Sequence, residues 1–340
     1  MSTISWLRDE TGRPGRTWNP IRARHRATGK IGWHCEPVHE GCKHCYAAAQ
    51  NRAGARGGTG LPYKPGHRDD VELFLDEKTL RAPLHWRKPL RIFACSMTDL
   101  YGSWVPDEWI DRIKAVQALT PQHTYIELTK RPERMGRYLS ALRSDPGRRP
   151  YVRRPGWKAP DSRDGDAVLL LQEGQDWPLP NVWAGPSCST QDDANRMIPE
   201  VLQTPLAKRL VSFEPLLNYI DLAEIDCGGG VRWDVRGGRG RSGGLDLAIV
   251  GGLNGPEPTD IDIVRDLVRQ CRTSAMPVFV KQLGRTCRMT RAEAVSAIAA
   301  GAKWRRHKSV DVVAFKDRKG EDPAEWPSDL RVREWPEVRP

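Results

Sequence analysis

The chain has 340 residues, 39% of them hydrophobic, which is enough to build one large α/β domain or two smaller ones with a sizeable core. Lys plus Arg (54) exceed Asp plus Glu (43), and the net charge of +11 suits a polyanionic partner such as DNA or RNA, although the basic residues are spread along the chain rather than gathered in one block. No run approaches the ~20 apolar residues of a spanning helix, and the first residues carry no signal-peptide-like apolar stretch, so we expect a cytoplasmic protein with no membrane segment and with reduced thiols.

In chain order, Arg91–Cys95 reads as a buried strand, followed by the loop SMTDLYGSW and a helix over Asp107–Leu119 with Ile110, Ile113 and Val116 on one face. Thr124–Leu128 is the next strand and Pro132–Leu142 the next helix. The segment Leu142–Gln175, rich in Arg, Pro, Asp and Gly, reads as an exposed insertion. Asn181–Gly185 is a strand, and Asp192–Leu202 is a helix capped by Ser189 or Thr190. Arg209–Phe213 is a strand leading into Glu214-Pro215. Cys227–Gly244, with its GGG, GGRG and GG, reads as a flexible excursion. Asp246–Val250 (strand), Asp260–Cys271 (helix) and Pro277–Lys281 (strand) complete the alternation. Thr290–Ala300 reads as a helix with a capping box of Thr290 and Glu293, and the polar, Pro-rich end from Lys316 is expected to wrap over the domain.

Apolar strands alternating with helices imply a parallel sheet covered on both faces: an α/β fold, as a TIM-type or partial (β/α) barrel. A doubly wound sheet is the competing architecture, but no G-x-G-x-x-G fingerprint follows the early strands. We divide the chain into a barrel domain over 1–284 and a C-terminal extension over 285–340.

The sharpest chemical signal is Cys35-EPVHEG-Cys42-KH-Cys45-Tyr46. The two-residue spacing lets Cys42 and Cys45 face one metal centre, and Cys35 can fold back as a third ligand. Three thiolates on a cubane leave one iron open to a cofactor or substrate. Structural zinc is the alternative, with His34, His39 or His44 as fourth ligand. Five further cysteines are scattered singly, as small apolar core residues usually are.

Several stretches, in this order, resemble the phage gene-product thirty-seven family of three-cysteine proteins: Thr17-Trp18-Asn19-Pro20, Gly41-Cys42 to Ala47, RIFACSMTDLY, VPDEWIDRI, LTPQHTYIELTKRPERM, WPLPNVWAG, LVSFEPLL, Val250–Gly252, VFVKQLG and KDRKGEDPAEWPSDLRVREWPE. The resemblance implies a radical S-adenosylmethionine (SAM)-like fold and enzyme, a [4Fe-4S] cluster on Cys35, Cys42 and Cys45, and SAM as cofactor. It also implies an electron donor such as a flavodoxin or ferredoxin, and allows a phage-encoded partner protein. The cysteine spacing is six residues then two, the family's own pattern, where radical SAM enzymes usually have three then two. Leu253 stands where the family usually places Glu. The basic segment IRARHRATGKIGWH also intervenes before the first cysteine; we read it as a solvated loop, with phosphate contact by Arg22, Arg24, Arg26 and Lys30 as the alternative.

Ligand groups of a parallel barrel gather at the C-terminal ends of its strands. There the sequence offers Ser96, Met97, Thr98 and Asp99; Thr129, Lys130 and Arg131; Ser187 and Cys188; Ser212 and Glu214; Gly251, Gly252 and Asn254; and Lys281 with Gln282. For a SAM-binding rim, Ser96, Asp99 and Ser212 are expected to meet ribose or amino groups and Glu214 the methionyl ammonium. Lys130 and Lys281 would meet a carboxylate or phosphate, and Gly251-Gly252 would permit close backbone approach. As a structural alternative, Asp99 caps its own turn and Glu214 forms an ion pair with Arg209 or Arg131. The expected activity is SAM-dependent radical chemistry on a nucleotide or nucleic acid; the alternative is a non-catalytic, zinc- or cluster-stabilised nucleic-acid-binding module.

Overall fold

The structure is a computed structural model and describes residues 4–54, 57–144, 151–155, 166–170, 177–237 and 244–336. The chain forms two compact units: residues 1–37, 46–184 and 204–207 make the first, and residues 38–45, 185–203 and 208–340 the second.

In the first unit a parallel ladder is built from β1 (Arg16–Trp18), β5 (Arg91–Ala94) and β6 (Thr124–Thr129), paired with Trp18 opposite Ala94 and Ile92 opposite Tyr125. β1 escapes the sequence reading because three residues are too few to show a period. Helix α3 (Asp107–Ala118) connects β5 to β6 and α4 (Pro132–Ser144) follows β6. The face of α3 marked by Ile110, Ile113 and Val116 is buried as the spacing requires. Lys114 and Gln117 are buried with it, because both reach Glu127 on β6: Lys114 Nζ donates to its carboxylate at 2.7 and 2.8 Å and Gln117 Nε2 at 2.7 Å, with Tyr101 Oη at 2.9 Å. A fully satisfied buried pair of this kind costs about 3–5 kcal/mol to break one-sidedly.

The segment after Trp-Asn-Pro is not a loop. It forms β2 (Ile21–His25) and β3 (Ile31–Gly32), which join β4 (Val71–Leu75) in an antiparallel sheet of order β3-β2-β4. Ile21 and Ala23 are buried and alternate with Arg22 and Arg24, a period of two that the density of arginines masked. Of two short helices here, α1 (Tyr46–Ala53) lies between β3 and β4 in sequence and α2 (Glu77–Arg81) follows β4. Within the stretch read as an insertion, β7 (Tyr151–Pro155) and β8 (Asp166–Leu170) pair antiparallel, and its remaining residues from 145 lie outside the described residues.

The strand β9 (Val182–Cys188) is shared by the two units. The hydrogen-bonded order is β1-β5-β6-β9 on the side of the first unit and β9-β10-β13-β15 on that of the second, seven strands in all. Here β10 is Lys208–Phe213, β13 is Leu247–Gly251 and β15 is Val278–Gln282, paired in parallel with Val211 opposite Ala248 and Ile249 opposite Phe279. Helices α5 (Gln191–Gln203) and α6 (Ile261–Thr273) connect these strands. Thr190 Oγ1 accepts from Asp193 N at 3.2 Å, so the cap of α5 is Thr190. Ile198, Val201, Val264, Leu267 and Val268 bury the inward faces of the two helices.

The glycine-rich excursion contains a small hairpin, β11 (Ile225–Asp226) with β12 (Arg232–Trp233); its residues 238–243 lie outside the described residues. The region after β15 is more regular than its composition suggests. β14 (Thr259–Asp260), β16 (Thr286–Arg288), β17 (Lys303–His307) and β18 (Val310–Ala314) form a sheet of order β14-β16-β18-β17. The capping box of Thr290 and Glu293 is present, but the helix it introduces, α7, is confined to Val295–Ala299. The last described residues run beside β15: Val280 N donates to Val332 O and Glu334 N to Val278 O. That pairing covers what would otherwise be an open sheet edge, and it buries Trp326, whose indole N–H donates to Gly320 O.

Among the described residues no helix is long and apolar enough to cross a membrane.

Candidate functional site

In the first unit the chain leaves β5 through Cys95, whose φ of 53° lies in the left-handed region and turns SMTD sharply away from the strand. Asn19 holds the turn: its Oδ1 accepts from Met97 N at 3.0 Å and its Nδ2 donates to Ser96 Oγ at 3.1 Å. Tyr46 Oη, next to the last cysteine of the motif, donates to Ser96 O at 2.8 Å, and Tyr63 Oη to Met97 O at 2.6 Å. Ser96 is therefore part of a clasp between the Trp-Asn-Pro segment and the β5 turn.

Asp99 is buried and receives four donors. Oδ1 accepts from Tyr101 N (3.0 Å) and Thr129 Oγ1 (2.7 Å); Oδ2 accepts from Lys130 N (3.0 Å) and Arg131 Nη1 (3.0 Å). It caps its own turn and also binds the arginine that follows β6. At Lys130 it is the backbone N–H that reaches Asp99. The other arm of Arg131 donates to Glu36 O at 2.8 Å, and its guanidinium lies over the Trp104 ring at 4.6 Å. Trp104 meets the His34 ring edge-on at 5.4 Å, Thr98 Oγ1 donates to His34 O at 2.6 Å, and His34 Nε2 stands 3.3 Å from Glu36 Oε1. Burial lowers the pKa of His34, and Glu36 opposes that shift. This chain of contacts fixes the residues on both sides of Cys35.

The second unit holds the other end of the motif. Glu40–His44 is a single 3-10 turn in which Cys42 N donates to His39 O and Cys45 N to Cys42 O. His39 Nδ1 accepts from Gly41 N at 3.0 Å and lies 3.5 Å from Asp193 Oδ2. Of these two contacts the one from Gly41 N is within hydrogen-bond distance. Asp193 Oδ2 accepts from Ser189 N at 2.9 Å. A side chain on Gly41 would run into Ser189 Oγ and stand 2.8 Å from the His39 ring, so only glycine lets the cysteine turn sit this close to the start of α5. The sequence reading offered His39 as a zinc ligand and Ser189 as a helix cap but missed Asp193, and nothing local ties His39 to it.

At the strand ends of the second unit, Glu214 follows β10 and accepts from Lys281 Nζ at 2.5 and 2.7 Å and from Gln282 Nε2 at 3.4 Å. Its ionic partner is thus Lys281, not Arg209 or Arg131. Gln282 Nε2 also donates to Gly252 O at 2.6 Å. A Cβ on Gly251 would stand 2.9–3.0 Å from the Glu214 side chain, so this glycine makes room for the carboxylate. Ser187 Oγ donates to Glu214 O, and Ser212 is buried within β10. Leu253 is buried, with its N–H on Thr259 Oγ1 at 2.8 Å, and packs beside Gly255 as an apolar residue. The fold therefore gathers Ser96, Asp99 and Lys130 around one turn, and Glu214, Gly251 and Lys281 around another.

The cysteines fall into two classes. Cys95, Cys188, Cys271 and Cys287 are buried, and burial pushes the thiols of Cys95, Cys271 and Cys287 far up, so these are neutral core groups. Cys35, Cys42 and Cys45 are half-buried and in no disulfide, as is Cys227 outside the motif, whose thiol burial also raises. Three accessible thiols on a short polar segment are a soft donor set, chemically suited to iron–sulfur or zinc. Among the described residues, however, no group of three or more His, Cys, Asp and Glu side chains is arranged to hold a metal ion.

No curated protein and no solved structure matches the chain. Residues 3–313 match the family described as a protein of unknown function (DUF5131), and the chain belongs to that family.

Proposed function

We propose that Cys35, Cys42 and Cys45 hold an iron–sulfur cluster, with [4Fe-4S] as the type, and that the chain is a radical SAM-like enzyme acting on a nucleotide or nucleic acid. In this reading the parallel strands form a partial (β/α) barrel with the cofactor at their C-terminal ends. The observation that carries it is the separation of the cysteines: the motif's three are half-buried and in no disulfide, while four of the other five are sealed in the core. The histidines bear on the choice between cluster and zinc. His34 Nε2 faces Glu36 and His39 Nδ1 accepts from Gly41, but each contact occupies one nitrogen of a two-nitrogen ring, so both histidines remain candidates for the zinc alternative. Three thiolates without a histidine suit a cluster with one open iron better than a closed zinc site.

When bound, such a cluster supplies the electron for reductive cleavage of SAM and, through it, hydrogen abstraction. The protein's own part is to position and shield. Arg131 and Asp99 hold the backbone around Cys35, and the His39–Gly41 contact seats the turn carrying Cys42 and Cys45. Glu214 and Lys281, partly open to solvent, are the charged groups placed to meet the ammonium and carboxylate of a methionyl group by exchanging partners. An electron donor of the flavodoxin or ferredoxin class belongs to this proposal.

One observation favours the second reading, a non-catalytic, zinc- or cluster-stabilised nucleic-acid-binding module. The rim carboxylates are already paired, Asp99 by four donors and Glu214 by Lys281, and Leu253 contributes no charge. Incubation of anaerobically reconstituted protein with SAM and dithionite separates the two. Formation of 5′-deoxyadenosine by wild type and its loss in Cys42→Ala is the outcome expected of the enzyme. A reconstituted protein that forms none is the binding module.

A further inference from the structure

The sheet β3-β2-β4 presents an unusual outer face. Ile21 and Ala23 of β2 point into the first unit, which leaves Arg22 and Arg24 on the opposite side. The register sets Phe74 opposite Arg22, and Glu72 and Ile31 on either side of Arg24. The Arg22 guanidinium lies over the Trp33 ring at 4.6 Å and that of Arg24 over Phe74 at 5.2 Å. Arg26 continues the row just past the strand: its N–H donates to Asp70 O at 2.9 Å and its Nε to Asp69 O at 3.0 Å. Lys30, at the far side of the hairpin turn, is exposed, as are Arg24 and Arg26.

On the strands, Glu72 is the one acid set among these four cations. Its pair with Arg24, at 3.1 Å, has side chains 52% and 47% exposed. A pair so open is worth little and exchanges readily for another anion. In the adjoining turn Asp70 is taken by His67 at 2.6 Å. The guanidinium groups are held in place by aromatic rings and backbone oxygens, so little side-chain freedom is lost on binding. Planar cations seated on a solvent-exposed sheet offer two things together: charge for phosphates, and flat faces on which unpaired bases stack.

We propose that this face binds single-stranded nucleic acid, with Arg22, Arg24, Arg26 and Lys30 along the backbone. The surface stands on its own observations and does not depend on what the cysteines hold. It would serve a nucleic-acid substrate equally in the enzyme or in the binding module.

The test is fluorescence anisotropy with a labelled oligothymidylate of roughly 15 nucleotides, titrated at several salt concentrations. The double variant Arg24→Glu/Arg26→Glu is compared with Arg305→Glu/Arg306→Glu, an equal charge change on exposed residues of β17. Affinity is expected to fall about tenfold or more in the first and about twofold or less in the second, and the salt slope of the milder Arg24→Gln/Arg26→Gln variant is expected to drop by about 1.4 from the loss of two phosphate contacts. Equal losses in the two Glu variants reduce the effect to diffuse charge and overturn the assignment. A duplex of the same length bound as tightly, or polyglutamate competing as well as the oligonucleotide, gives the face to another partner.

Discussion

Asp99 shows how a residue that looks catalytic from its place at a strand end is committed to structure. Four donors converge on it, and one of them, Arg131, is mostly buried and has no second acid to turn to in these contacts. Asp99→Ala is expected to cost about 3 kcal/mol, as one-sided loss of a buried pair does, read as a lowered urea midpoint. Under the cluster proposal the same variant lowers metal content, because Arg131 also fixes Glu36 beside Cys35. His123 gives a prediction in pH. It is buried against Trp86 and Tyr125, and burial lowers its pKa below the ordinary 6.5. The unfolded chain then binds a proton before the folded one does. Stability is fully present above about pH 6.5 and falls as pH drops toward the folded value, by at most ~1.4 kcal/mol per pH unit for one proton. Urea unfolding between pH 7 and 5 is expected to show that loss, and His123→Phe to flatten it; His34, lowered by the same cause, keeps part of the slope. An unchanged slope in His123→Phe contradicts the assignment.

Among the elements, those bounded by apolar runs were legible. β5, β6, β10, β13 and β15 appear within a residue or two of their expected limits, because strands buried on both faces must be apolar throughout. β2 was not legible: every second residue is an arginine, and Arg22 is half-buried with its guanidinium over Trp33, a contact across strands that no local pattern reveals. The cysteine turn has the same character. Its spacing announces chemistry, but its seat on Ser189, Asp193 and His39 joins residues about 150 apart in sequence. Two glycines test these seats. Gly41→Ala is expected to push the turn off α5 and to lower the metal retained through gel filtration, with little change in the melting of the rest of the chain. Gly251→Ala crowds the Glu214–Lys281 pair and is expected to cost about 1–3 kcal/mol, as overpacking does, checked by chemical denaturation; a neutral result there means the pair has room to shift.

For the molecule as a whole, the charge balance and the cysteine motif are separate signals that lead to separate experiments. The net charge of +11 reads in sequence as a diffuse background, and the structure collects part of it on one sheet face. The α/β alternation was legible along nearly the whole chain, whereas the sheet formed after β15 was not, since its strands are short and β17 holds a single apolar residue, Trp304. Membership in a family of unknown function leaves the chemistry to be decided at the three cysteines. The most direct measurement is anaerobic purification followed by iron, sulfide and zinc analysis with an absorption spectrum, on wild type and on Cys35→Ala, Cys42→Ala and Cys45→Ala. Brown protein with about four irons and four sulfides per chain, lost in each variant, is the result the account predicts. Colourless protein carrying one zinc, or iron that survives all three substitutions, would contradict it.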